Sequence, residues 1–238
     1  MGNRTLSPGL VLRALFLDSE AYAELRDDDN PFIEGLFLLV IIGVLTALLA
    51  MIGQLLAWAS TPDLAAIKDV VFRNLQQMPW WSMSSGAPGF AEEFRRWYDL
   101  GWQVIPALSG APNPAGAAVN ILLWPLGLLV SWLIYGVLAH LFARMLGGQG
   151  GLGQTLGTTA LAFTPMLLRG LEFIPFLVIG SAAATWQLLL RYKAVRTAHG
   201  LTWGRAFWAT MLPFAVYLLF WLIVGGSAAA VLALLVRR

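Results

Sequence analysis

Cysteine is absent from the chain, which excludes disulfides, thiolate nucleophiles and every cysteine-based metal site together. Histidine is nearly absent: His140 and His199 are the only two, too few for a zinc site built from this chain's own side chains. Charge is scarce as well. Charged residues fill 12% of the 238 positions, against roughly 25% in soluble domains, while 58% are hydrophobic. The net charge of +2 is too small to point to nucleic acid. What remains is the composition of an integral membrane protein.

Five stretches lack Asp, Glu, Lys and Arg: 35–62, 100–143, 145–168, 173–190 and 206–236. A bilayer core about 30 Å thick takes roughly 20 helical residues, because in lipid each backbone amide must find its partner within the segment. The expected architecture is all-α, a bundle of five transmembrane helices near 36–58, 118–143, 154–170, 173–190 and 207–236. A segment 1–34 precedes a membrane domain 35–238, with an outer loop over 60–117. Segments three and four are short and joined only through Arg169, Gly170, Leu171 and Glu172. They fit a tight hairpin of two crossings, with Arg169 and Glu172 snorkelling to the interface, or a re-entrant pair that never crosses.

Orientation follows from Lys and Arg in the short loops. One side holds Arg4, Arg13, Arg26, Arg144, Arg191, Lys193, Arg196 and Arg205; the other holds Arg169, Arg237 and Arg238. The first group places the N-terminus in the cytoplasm and the C-terminus outside. No cleavable leader is expected in 1–30, which end in Arg26 and three aspartates.

Amphipathic pieces flank the spans. Ser7-Pro8 is a helix start, followed by the stripe Val11, Leu12, Leu15 and Phe16. Thr61-Pro62 precedes Leu64, Ile67, Val71, Leu75 and Met78, and a third stripe runs through Phe90, Phe94, Trp97, Gly101 and Ile105. Such helices lie at the headgroup boundary or pack over the ends of the protein's own spans. Trp80, Trp81, Trp97 and Trp102 suit either place, so the outer loop is expected to be an ordered cap.

Chemistry finds little to stand on. Gly148, Gly150 and Gly153 spell G-x-G-x-x-G, but apolar helices on both flanks leave no strand–turn–helix unit for a dinucleotide. The glycines are expected to form a tight connector in which Gly supplies positive φ. His140 is the one ionisable residue well inside a span, and so the candidate for ligating a pigment or haem, or for proton transfer; its nearness to Arg144 favours a hydrogen bond to water or a carbonyl instead. His199 is expected to be a solvated residue of a basic loop. No Ser, His and carboxylate come together, so no enzyme, resident cofactor or metal is expected. A carrier would need a polar path past Thr158, Thr164, Gln187 and His140. The basic loop 191–205, with Arg191, Lys193, Arg196 and Arg205, faces anionic lipid or an acidic partner.

The order of features resembles the Yip1 family. Leu146-Gly147-Gly148, Gln154-Thr155-Leu156 and Ala162-Phe163-Thr164-Pro165 look like its glycine turn and aromatic-x-Pro segment; Arg191-Tyr192-Lys193-Ala194, His199-Gly200-Leu201 and Ala206 look like its basic loop, with Pro213 where a proline is usual. Val11–Leu25 is similar to the amphipathic entry of bacterial members, although Asp18 stands near a usual proline. Eukaryotic members work with small GTPases through an Asp-Leu-Tyr-Gly-Pro motif that is absent here, so no GTPase partner is carried over. The resemblance implies a cytoplasmic N-terminus, five spans, and a non-catalytic scaffold or accessory subunit alongside other membrane proteins.

Overall fold

A computed structural model describes residues 6–60, 64–108, 114–174, 177 and 179–236. They form helices α1 (Pro8–Leu15), α2 (Ser19–Arg26), α3 (Pro31–Ser60), α4 (Leu64–Gln76), α5 (Pro79–Ser84), α6 (Phe90–Leu108), α7 (Pro114–Met145), α8 (Leu152–Leu161), α9 (Met166–Arg169), α10 (Gly180–His199) and α11 (Trp203–Val236), with a 3-10 turn at Gly170–Phe173. Helix accounts for 84% of the structure, and no strand occurs among the described residues. The chain divides into two compact units, Met1–Ala50 with Asn120–Arg238, and Met51–Val119.

Among the described residues, three helices are long and apolar enough to cross a bilayer: Pro31–Ser60, Ala118–Met145 and Trp203–Ser227. The expected third span is shorter as a helix than its charge-free stretch implied, whereas α10, which carries the second half of the expected fourth, begins at Gly180 and continues past it to His199. α8 has 10 residues, about 15 Å of rise, half the bilayer core. A turn over 162–165 and the 3-10 turn then interrupt the segment expected to be continuous over 154–170. Freedom from charge reports the solvent a segment tolerates; it does not report whether the helix continues.

α8 is short because it is the centre of the first unit. Every residue from Thr155 to Leu161 is buried, so the helix meets protein on all sides. The Trp132 indole of α7 donates to the Leu156 carbonyl at 3.0 Å, and its ring stacks on Phe32 of α3. Glycine permits the tightest approach: a Cβ on Gly35 would sit 2.9 Å from the Gly157 Cα, and one on Gly157 would strike the Pro31 backbone.

The N-terminal helices pack on the chain itself. The Ser7 side chain accepts from the Leu10 amide and opens α1, as the Ser-Pro pair predicts. The buried face of α1 is Leu10 and Ala14, however, whereas Leu12 and Phe16 of the expected stripe are 57% and 72% exposed. The reason is tertiary: Asp18 caps α2, Tyr22 turns back to donate to the Ala14 carbonyl, and the Trp186 indole of α10 donates to the Leu15 carbonyl. These bonds fix which side of α1 faces inward.

At the start of α10, Arg169 pairs with Glu172 at 3.3 Å, and the other oxygen of Glu172 accepts from the Ile179 amide at 3.0 Å. The two charges pair with each other, and Glu172 caps the start of α10, where the helix dipole favours a carboxylate.

In the second unit the outer loop is helical. Thr61-Pro62 lies outside the described residues, and α4 begins at Leu64. Phe72 of α4 and Trp80 and Trp81 of α5 pack against Phe94 and Tyr98 of α6. Phe90 and Phe94 of the expected α6 stripe pack as expected, but the next position inward is Tyr98, which faces Phe72, whereas Trp97 is 64% exposed. Lys68 and Asp99 pair at 2.6 Å beside a hydrogen bond from Tyr98 to the Lys68 carbonyl.

Candidate functional site

α7 ends at a glycine turn. Gly147 adopts φ +90°, and the Gly148 amide reaches back to the Ala143 carbonyl at 2.8 Å, closing the helix end. The chain then crosses the last turn of α10, where the Gln149 amide donates to the His199 carbonyl at 3.3 Å. A Cβ on Gly148 would lie 2.7 Å from the His199 ring, and one on Gly150 would collide with the Ala198 carbonyl. Positive φ was the expected use of the motif glycines, yet Gly148, Gly150 and Gly153 do not adopt it. Two of them serve close approach instead. Sequence spacing cannot separate the two uses, because both require the same missing Cβ.

Under this loop the two histidines meet. Their ring centroids are 5.2 Å apart. Thr155 of α8 bridges them: its hydroxyl oxygen is 3.0 Å from His140 Nδ1, 2.8 Å from His199 Nε2 and 2.9 Å from the Gly151 carbonyl oxygen. A hydroxyl has one proton and two lone pairs, so when it donates to Gly151 both rings donate to it. His199 Nδ1 is then a bare lone pair, buried and without a partner. Burial, with His140 and Arg144 acting in the same direction, holds the His199 imidazole down from 6.5 to about 4. His199 is therefore not the solvated loop residue expected; it is the last residue of α10 and 3% exposed. A separation of 59 positions hid its pairing with His140. Beside it is a cavity of about 430 Å³ lined by Arg26, Gln149, Gln154 and His199 among others. Among the described residues no three His, Cys, Asp or Glu side chains converge.

The basic loop expected over 191–205 is mostly helix, since α10 continues to His199. Its four cations have four environments. Lys193 donates to the Ser19 hydroxyl of α2, and the Arg196 guanidinium lies 3.9 Å from the Trp203 ring centroid. Arg205 reaches the glycine turn, 3.2 Å from where a Gly147 Cβ would be. Arg191 turns inward among Tyr135, Phe163 and Phe214. A helix sends successive charges in different directions, so the four do not form one patch.

The remaining polar residues are separated as well. Thr158 donates within α8 and approaches the Ala194 carbonyl, closing one helix contact. Thr164 faces a cavity beneath α1, whereas Gln187 faces another between α7 and α10. Thr155 was legible only as a generic polar residue, because its role depends on two helices distant in sequence.

The Yip1 domain model matches residues 12–225. No curated protein and no solved structure matches the chain. With nearly its whole length inside one family model, the chain belongs to the Yip1 family.

Proposed function

We propose that this protein is a non-catalytic scaffold or accessory subunit that contacts other membrane proteins within a bacterial cytoplasmic membrane. The observation that carries the reading is the outer half of α11. Residues Leu218 to Val224 are consecutive, apolar and all between 41% and 64% exposed, so no side of this stretch is covered by the chain's own described residues. Gly225 and Gly226 follow, with open space where each Cβ would be. Large apolar side chains beside small residues let a second helix approach closely in lipid. Polar groups near the histidines, by contrast, are spent on internal bonds between helices.

The positive charges favour a cytoplasmic N-terminus and an external C-terminus. Five membrane-embedded segments give that topology: three long helices, plus the hairpin from α8 to α10 that returns the chain to the side it left. Because the natural chain has no cysteine, single cysteines introduced at Asn3 and Arg238 give clean labelling. They should react from opposite sides of sealed vesicles; both from one side overturns the topology.

The scaffold role is tested by purification in mild detergent. Other membrane subunits should accompany the protein and be lost in Gly225→Leu with Gly226→Leu, which alter surface without internal contacts. A monomer that stays clean in several detergents and in native nanodiscs refutes it.

A further inference from the structure

Arg191 is a cation for which the described residues supply no paired anion. Its guanidinium carbon lies 4.2, 5.2 and 5.4 Å from the ring centroids of Tyr135, Phe163 and Phe214. Aromatic faces attract a cation but accept none of its five N–H bonds in the geometry an oxyanion offers. The described ion pairs engage other residues, and Arg191 Nε is buried without a hydrogen-bond partner. One turn earlier on α10, Gln187 is 6% exposed and its Nε2 amide is likewise buried and unpartnered. Arg191 and Gln187, the residues that carry these two unmet donors, both line one cavity of about 250 Å³.

The rest of that cavity is apolar except for Ser131, whose hydroxyl donates within α7 to the Leu128 carbonyl at 2.8 Å. Leu123, Trp124 and Leu128 of α7 line it, with Phe163 and Met166. Leu123 and Trp124 are 57% and 40% exposed on a helix long and apolar enough to cross the bilayer, so this end of the cavity opens where lipid lies. Arg191 is eight residues, about 12 Å of helix, from the end of α10. The polar end is therefore set in from the loop side, and the apolar end continues along α7.

We propose that this cavity is a binding site for one anionic phospholipid, its phosphate held by Arg191 and Gln187 and an acyl chain laid along Leu123, Trp124 and Leu128. A guanidinium fork matches phosphate oxygens two at a time, and the Gln187 amide adds a third donor. An occupant with an anion at one end and hydrocarbon at the other is what the two halves of the lining require. The site does not depend on the scaffold role.

The test uses the full chain in a zwitterionic detergent, stripped of lipid. Native mass spectrometry with added phosphatidylglycerol should show one tightly held lipid, with phosphatidylcholine at least tenfold weaker. Arg191→Met should weaken phosphatidylglycerol at least tenfold; Arg191→Lys, which keeps the charge and loses the fork, and Gln187→Leu should each weaken it severalfold. These two carry the test should the Met variant fail to fold. Phosphatidylglycerol with brominated chains should quench fluorescence less in Trp124→Phe than in the natural chain. Inorganic phosphate at the same concentration should leave the thermal midpoint unmoved. The proposal is overturned by equal binding of the two lipids, by variants at Arg191 and Gln187 that bind as the natural chain does, by an equal loss in Arg205→Ala, or by stabilisation by phosphate alone. If Arg191 is occupied instead by a carboxylate of a co-purifying protein, no phospholipid will be retained, and the proposal also fails.

Discussion

Acidification should loosen the helix junction at the glycine loop, and His199 sets both the size and the pH range. Its imidazole is 3% exposed, and burial, with His140 and Arg144 opposing a further charge, holds it at about 4 against 6.5 when free. Between these values the unfolded chain binds a proton that the folded chain refuses. Stability from this group is therefore complete above about 6.5, falls as the pH drops, and is gone near 4. About 2.5 pH units at about 1.36 kcal/mol each give about 3 kcal/mol. For a chain of this size that corresponds to a fall on the order of 10 °C in unfolding midpoint. Carboxylates titrate nearby in pH, so the informative quantity is the difference between the natural chain and His199→Asn. Thermal unfolding in detergent, followed by tryptophan fluorescence from pH 7 to 4, should show the natural chain losing its advantage over the variant as the pH falls. A difference that stays constant within about 0.5 kcal/mol refutes the buried neutral imidazole.

Two further outcomes test the packing. Gly157→Ala drives a methyl into the Pro31 backbone at the α3–α8 crossing and should cost about 1–3 kcal/mol in unfolding, whereas Gly86→Ala, with open space around it, should change stability by less than about 0.5 kcal/mol. In the second unit, Lys68 and Asp99 pair at 2.6 Å with side chains 30% and 38% exposed. A double-mutant cycle with Lys68→Met and Asp99→Asn should give about 0.2–1 kcal/mol, shrinking at high salt; a salt-independent coupling above about 2 kcal/mol would show that the pair is effectively buried.

Composition alone sets the solvent of the fold. Long charge-free runs in a chain with 12% charged residues require helices that satisfy their own amides in lipid, and the three longest runs, the Ser7 cap and the glycine turn after α7 are where composition and local propensity place them. The family was also legible, because its glycine turn and proline positions are local patterns.

Which residues meet depends on how the helices pack. The inward face of α1 depends on Tyr22 and Trp186; the burial of α8 depends on helices that surround it; and His199, Thr155 and His140 converge only once three helices are packed. Arg191, grouped by sequence with its basic neighbours, is separated from them by the 100° turn between successive helix positions and by the rings that receive it. Hydrophobicity has no direction and so can be read along a chain. A hydrogen bond or a cation over a ring has both direction and distance, and neither exists until the helices have docked.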